Sequence, residues 1–297
     1  MGGDRRGHAE ALLRLGAALP HARLEETLDR YREALALFIR LGDKHAQTRC
    51  WLATGDAHSG NGRLAAAREA LEVAFDTARQ AHAPDLAAVA TFALGVLDYK
   101  SGALGRARER LDEALRLFTT VRDESKRAAV LLALGHVLRE EGNLVDAVSM
   151  YESSAARFHE LDDETGELVA QAGAGMALLD QGHLIDADSR FRRVEELFSA
   201  GTLPAWFAGR ELGDALAVRI AAGAGHAGLA AERFEFALAH AEPNDAFAAA
   251  QLVADCAPAL ATVGVRTVDA IAERLHYAAV ASGFDRLAAR LRPAAGG

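Results

Sequence analysis

Residues 124–163 read ESKRAAVLLALGHVLREEGNLVDAVSMYESSAARFHELDD, and their spacing decides the fold. Val130, Leu131, Leu134, Val137 and Leu138 recur at the intervals of one helix face, and Leu144, Val148, Tyr151 and Ala155 form a second such stripe. Between the stripes Gly142 stands where the first helix must stop and the chain reverse, a left-handed backbone position that costs glycine least. One stretch of forty residues therefore encodes two antiparallel helices.

The stretch recurs along the chain. Gly55, Gly95, Gly135 and Gly175 fall in one register with Gly62, Gly102, Gly142 and Gly182. Leu24, Leu64, Leu104, Leu144 and Leu184 keep the same period, as do Ala67, Ala107, Ala147, Ala187 and Ala227. Phe38, Phe118, Phe158 and Phe198 do so too, with Leu238 following. Turn formers mark the unit boundaries at Gly42-Asp43, Pro84, Asp123, Asp162-Asp163, Pro204 and Pro243-Asn244. Gly135 and Ala147 are small enough for the two helices of a pair to approach, with Tyr151 and Phe158 filling the space beside them. A forty-residue pair cannot enclose a core by itself, so each must be covered by the next. The expected architecture is all-α, a right-handed superhelical α-solenoid forming a single domain over 1–297. Its seven pairs lie near 8–40, 44–80, 84–120, 124–160, 164–200, 204–240 and 244–282, with a capping helix at 284–292. Asp255 and Pro258 should kink the first helix of the seventh pair, and Pro293 to Gly297 should fray.

Composition narrows the function. A formal net charge of −9 argues against the nucleic-acid backbone as a partner, because that affinity needs a concentrated basic surface. Cys50 and Cys256 are too far apart in sequence to suggest a disulfide framework or a zinc knuckle, and suit a reducing cytosol. The opening MGGDRRGHAE has no apolar core after its arginines, unlike a secretory signal. Gln251, Asp255 and Pro258 interrupt the most apolar span, Ala246 to Val265, so no membrane helix is expected there. A cytoplasmic protein is expected.

Catalytic and cofactor motifs lack their context. Gly223-Ala224-Gly225-His226-Ala227-Gly228 matches the dinucleotide fingerprint, but it follows a helix rather than a strand and falls at the turn of the sixth pair. No phosphate-binding G-x-x-x-x-G-K-[ST] loop and no helix-turn-helix with a basic face is present in the sequence. His159, Glu160, Asp162, Asp163 and Glu164 could ligate a divalent ion, yet their place between two helices is explained by capping and the helix dipole. Ser59 beside His58 has no nucleophile elbow. No catalytic residue, cofactor or metal is expected.

From about His8 to Ala200, and more loosely to Ser282, the columns resemble the tetratricopeptide repeat. Relative to Gly95, Leu94 precedes by one, Ala107 follows by twelve, Leu111 by sixteen and Ala114 by nineteen; Gly135 has Leu134, Ala147, Tyr151 and Ser154 at the same offsets. Trp51 fills the motif's tryptophan place before Gly55. The family's usual unit is shorter, at thirty-four residues. Boundaries such as Leu37-Phe38-Ile39-Arg40-Leu41-Gly42-Asp43 and Phe158-His159-Glu160-Leu161-Asp162 resemble the repeat arrays of actinobacterial LuxR-type and ATPase transcriptional regulators. The resemblance implies that first helices line a concave groove. Carried over to this chain, the family's groove positions include Asp56, Phe92, Val96, Tyr99, Leu132, His136, Arg139, Met176, Leu179, Leu216 and Arg219, with Lys100, Glu140 and Asp180 following directly. Aromatic, Met and Arg side chains are the types enriched at binding hot spots. The expectation is a non-enzymatic scaffold of bacterial signalling or transcriptional regulation, whose groove binds a protein or peptide and stands free of the chain's own tail. The alternatives are a ligand- or signal-peptide-sensing domain of a larger regulator and, less favoured, an enzyme built on the repeat.

Overall fold

The structure is a computed structural model, and it describes residues 4–19, 23–203, 207, 209–241 and 245–292. Among these it contains fifteen helices and no strand. The expected turns at Pro204 and Pro243-Asn244 and the fraying of Pro293 to Gly297 lie outside the described residues. By its contacts the chain divides into two compact units, Met1–Arg122 and Asp123–Gly297.

The first unit holds three hairpins: α1 (Arg5–Ala18) with α2 (Leu24–Leu41), α3 (Lys44–Gly60) with α4 (Leu64–Gln80), and α5 (Pro84–Lys100) with α6 (Leu104–Val121). Its core runs from hairpin to hairpin. Leu12 and Leu13 of α1 and Tyr31 and Phe38 of α2 pack with Ala46 and Cys50 of α3; Leu52 of α3 and Leu71 of α4 then pack with Leu94 and Leu97 of α5. The apolar faces of the first two pairs are thus closed by the first helix of the next pair, the physical requirement of a repeat too small to fold alone.

The second unit pairs α7 (Glu124–Glu140) with α8 (Leu144–Glu160), α9 (Glu164–Asp180) with α10 (Leu184–Ser199), α11 (Arg210–Gly223) with α12 (Ala227–Ala241) and α13 (Ala246–Thr262) with α14 (Thr267–Ala281), and adds the six-residue α15 (Asp285–Arg290). Tyr151 fixes the spacing of three of these helices. A Cβ on Gly135 of α7 would lie 2.7 Å from its ring, and one on Gly173 of α9 would strike the same ring at Cε1. Tyr151 is wholly buried, so both glycines are required for close approach.

Local chemistry explains the ends. Asp43, Asp123, Asp163 and Asp245 cap α3, α7, α9 and α13, each accepting a hydrogen bond from a backbone N–H of the first turn. Gly142 turns the fourth hairpin at φ +81°. Between hairpins the same left-handed conformation falls on Asp162, one of the expected turn formers, and on His82 and Arg122, which were not among them. Two further departures matter. Helix α11 starts six residues after the expected 204, and Leu216 of α11, rather than Phe191 in the repeat's register, lies against Gly175. Pro258 sits inside α13, as the expected kink requires, and the helix runs on to Thr262.

Candidate functional site

In the first unit, the expected groove residues lie on α3 and α5. Asp56 is exposed, while Val96, Tyr99 and Lys100 are half-buried. Phe92 meets Phe118 of α6 edge-on, with ring centroids 6.4 Å apart, so part of its surface holds its own hairpin together. The neighbouring Asp98, which the repeat register does not single out, has a fully buried side chain. Arg68 of α4 lies 2.7 Å from it, and Arg106 and Arg110 of α6 lie 3.4 and 3.0 Å away.

The second unit separates its expected residues more sharply. Met176 and Leu216 are wholly buried and present no surface to a ligand. The family's groove register places them outward, but here Leu216 fills the gap at Gly175. Leu132 is half-buried and packs against the core between α7, α8 and α9. His136 is half-buried, and its Nδ1 lies 2.9 Å from the Tyr151 hydroxyl rather than against a carboxylate. Burial, then the Arg139 charge, pushes its pKa down to about 4.

Arg139, Leu179, Asp180 and Arg219 are brought together. They line a cavity of about 710 Å³ at the C-terminal ends of α7, α9 and α11 and beside α13. Asp255 of α13 and Arg286 and Arg290 of α15 complete it, and the register could not have placed these three there. The charges alternate through the site. Arg219 Nη1 donates to Asp180 at 2.7 Å; the other Asp180 oxygen accepts from Arg139 Nε at 2.6 Å. Arg139 Nη2 reaches Asp255 at 3.0 Å, and Arg290 Nη2 reaches the same oxygen at 2.6 Å. Arg290 Nη1 then donates to Glu140 at 2.7 Å, and Arg286 Nε donates to the other Glu140 oxygen at 3.0 Å.

Asp255 has only 1% of its side chain exposed, and Arg139 only 8%. Burial by itself would raise the Asp255 carboxyl, but the guanidiniums of Arg139 and Arg290 outweigh it and hold the pKa well below the usual carboxylate range. Gln251 Nε2 adds a hydrogen bond at 3.0 Å. Burial likewise works against the Arg139 charge, and Asp255 and Asp180 outweigh it. Asp255 and Arg139 are therefore held in their charged forms at the centre of the site. Its chemistry suits recognition of a polar ligand, and its volume is that of a small-molecule or short-peptide pocket.

The expected freedom from the tail does not hold in this unit, because α15 reaches α7 through Glu140. Other motifs settle into structural roles. Gly225 makes the turn between α11 and α12 at φ +78°. Asp163 caps α9 through the Gly166 N–H at 2.8 Å. Among the described residues no group of three or more His, Cys, Asp or Glu side chains could hold a metal, and no helix is long and apolar enough to cross a membrane.

No family model matches the chain, and no curated protein matches it by sequence. Solved structures do match. Rap protein complexed with Competence and Sporulation Factor is 15% identical with a TM-score of 0.65, over 91% of this chain and 72% of that one. NprR in complex with its cognate peptide NprX is 12% identical with a TM-score of 0.61, over 97% and 82%. A STAND signal-transduction ATPase with a tetratricopeptide repeat sensor, from Pyrococcus horikoshii, is 12% identical with a TM-score of 0.58, over 96% of this chain and 44% of that one. The fold is tetratricopeptide-like. In these terms, Arg139, Asp180, Arg219 and Asp255 come from the first helices of four consecutive tetratricopeptide-like pairs, and the cavity lies where those helices end.

Proposed function

We propose that the chain is a non-enzymatic peptide- or protein-binding module of bacterial regulation, cytoplasmic, whose second unit takes a polar peptide segment in the cavity beside Leu179, Asp180 and Arg219. The observation that carries this reading is the cavity itself: fixed opposite charges on successive first helices can orient a peptide's charged groups without chemistry on them. Two of the structures that share the fold were solved in complex, one with Competence and Sporulation Factor and one with its cognate peptide NprX, which supports the choice of ligand class.

A displayed library of random decapeptides, selected against the full chain, tests it. Enriched peptides should bind wild type and lose about tenfold or more in affinity to Arg219→Glu and Leu179→Asp, each a charge change at the cavity edge. Absence of enrichment, or enriched peptides indifferent to both changes, would overturn the reading. Arg139 and Met176 are unsuitable for this purpose because both are buried.

A second reading is a sensor domain that acts on an effector, as in the actinobacterial regulators the repeat boundaries resemble. It is favoured by the likeness to the STAND ATPase, of which the matched region is less than half.

A further inference from the structure

Helix α15 carries two stripes at i, i+4 spacing. Arg286 and Arg290 point to the cavity carboxylates, while Leu287 and Leu291 are buried in the unit. Phe284, just before the helix, meets Phe247 of α13 edge-on with centroids 5.0 Å apart. Together these residues form a short basic amphipathic helix seated on a matching surface. When the two α15 arginines are set aside, the charged lining consists of Glu140, Glu141, Asp180 and Asp255 against Arg139 and Arg219 alone. The surface under α15 then carries an excess of negative charge, part of it desolvated.

The seat is well made, but the occupant is held by little secondary structure of its own. Six residues are far below the length at which an isolated helix is stable in water. The helix follows Gly283, whose φ of +75° makes a tight left-handed joint to α14. Its hold is tertiary: two arginines, three apolar side chains and the His276 Nδ1 contact to the Ala288 carbonyl at 2.7 Å. Such short docked elements open at less cost than the body of a domain.

We infer that the Glu140–Asp255 surface between α7 and α13 is a docking site for a basic amphipathic helix of a partner protein, with arginines at i and i+4 flanked by leucines, and that α15 occupies it until the partner displaces it. This deepens the proposed binding function by naming a helical, basic partner, and rests on that reading. Exchange of one helix for the other conserves the ion pairs to Glu140 and Asp255, so neither buried carboxylate is left uncompensated once the exchange is complete.

The probe is a fluorescent synthetic peptide of residues 284–292, FDRLAARLR, titrated into the full chain. Its affinity for wild type is reduced by the fraction of chains in which α15 is docked, so Arg286→Gln with Arg290→Gln should tighten binding about tenfold or more. A probe with its three arginines replaced by glutamine should not bind, and Glu140→Gln added to the double variant, where α15 no longer competes for that carboxylate, should weaken the native probe. Hydrogen exchange on wild type gives a readout that does not depend on the double variant's fold. Saturating probe should speed exchange of residues 285–290 about tenfold and leave α7 to α9 protected. Lack of probe binding, or binding that leaves α15 as protected as before, overturns the inference. Selected decapeptides that bind at Arg219 without loosening α15 would leave the peptide-binding function standing while this inference falls.

Discussion

Asp255 is the residue on which the second unit's charged site turns. It accepts from Arg139, Arg290 and Gln251 in a place almost closed to water, and its removal leaves Arg139 with Asp180 and Arg290 with Glu140 as their one remaining carboxylate, around a buried gap. Asp255→Ala should therefore destabilise the protein by about 3–5 kcal/mol in urea unfolding. Arg219→Ala, at a more exposed edge, should cost about 1 kcal/mol or less. A small loss at Asp255 would mean that the buried pair is not formed. The same neighbourhood sets the acid response. His136 has a folded pKa of about 4 against an ordinary 6.5, so between these values the unfolded chain binds a proton that the folded chain refuses. Stability must then fall as pH drops from 6.5 towards 4, by at most about 1.4 kcal/mol per pH unit. The Asp255 contribution, from a depressed carboxyl, is complete above the ordinary carboxylate range and is lost below it. Melting temperatures of His136→Gln should fall less steeply than those of wild type from pH 6.5 to about 5, the remaining slope including His58, whose pKa burial also lowers; parallel curves would refute the assignment. Arg139, Asp180 and Arg219 were legible because a fixed register carries them. Asp255, Arg286 and Arg290 were not, since their partners lie 35 to 150 residues away in sequence and no column relates them.

At the scale of the element, most helices were readable from the glycine, leucine and alanine columns, because packing a forty-residue pair against its neighbour leaves little choice at those places. Gly135 and Gly173 illustrate the constraint, and Gly173→Ala should cost about 1–3 kcal/mol by driving a methyl into the Tyr151 ring. An unchanged melting temperature would show that Tyr151 can move aside. The turns between hairpins were less legible. Asp162 stands at an expected turn, but His82 and Arg122 carry the same left-handed backbone beside the marked Pro84 and Asp123, and nothing in the columns singled them out. Arg122→Gly should raise stability by about 1 kcal/mol, as relief of the left-handed strain exceeds the added freedom of the unfolded chain. A fall in melting temperature would contradict the left-handed cap. Leu216 was misplaced for a different reason: it packs against Gly175 of α9, in the place the register gives to Phe191, and is buried there.

Across the whole molecule, periodicity predicted the helical-repeat fold, and solved structures of low sequence identity share it. The periodicity speaks to backbone geometry, which many sequences can satisfy, and so it survives where sequence likeness has faded. Ligand choice depends on a few side chains at the ends of four first helices and on a short helix that the repeat does not specify. The central claim is that the second-unit cavity is where a peptide segment binds. Methyl NMR of the full chain with labelled leucine, titrated with a library-selected peptide, tests this most directly. The account predicts saturable shifts at Leu179 and Leu184, which line the cavity, with Leu12, Leu52 and Leu94 of the first unit unchanged. Shifts confined to the first unit, with Leu179 and Leu184 unmoved at saturation, would contradict it.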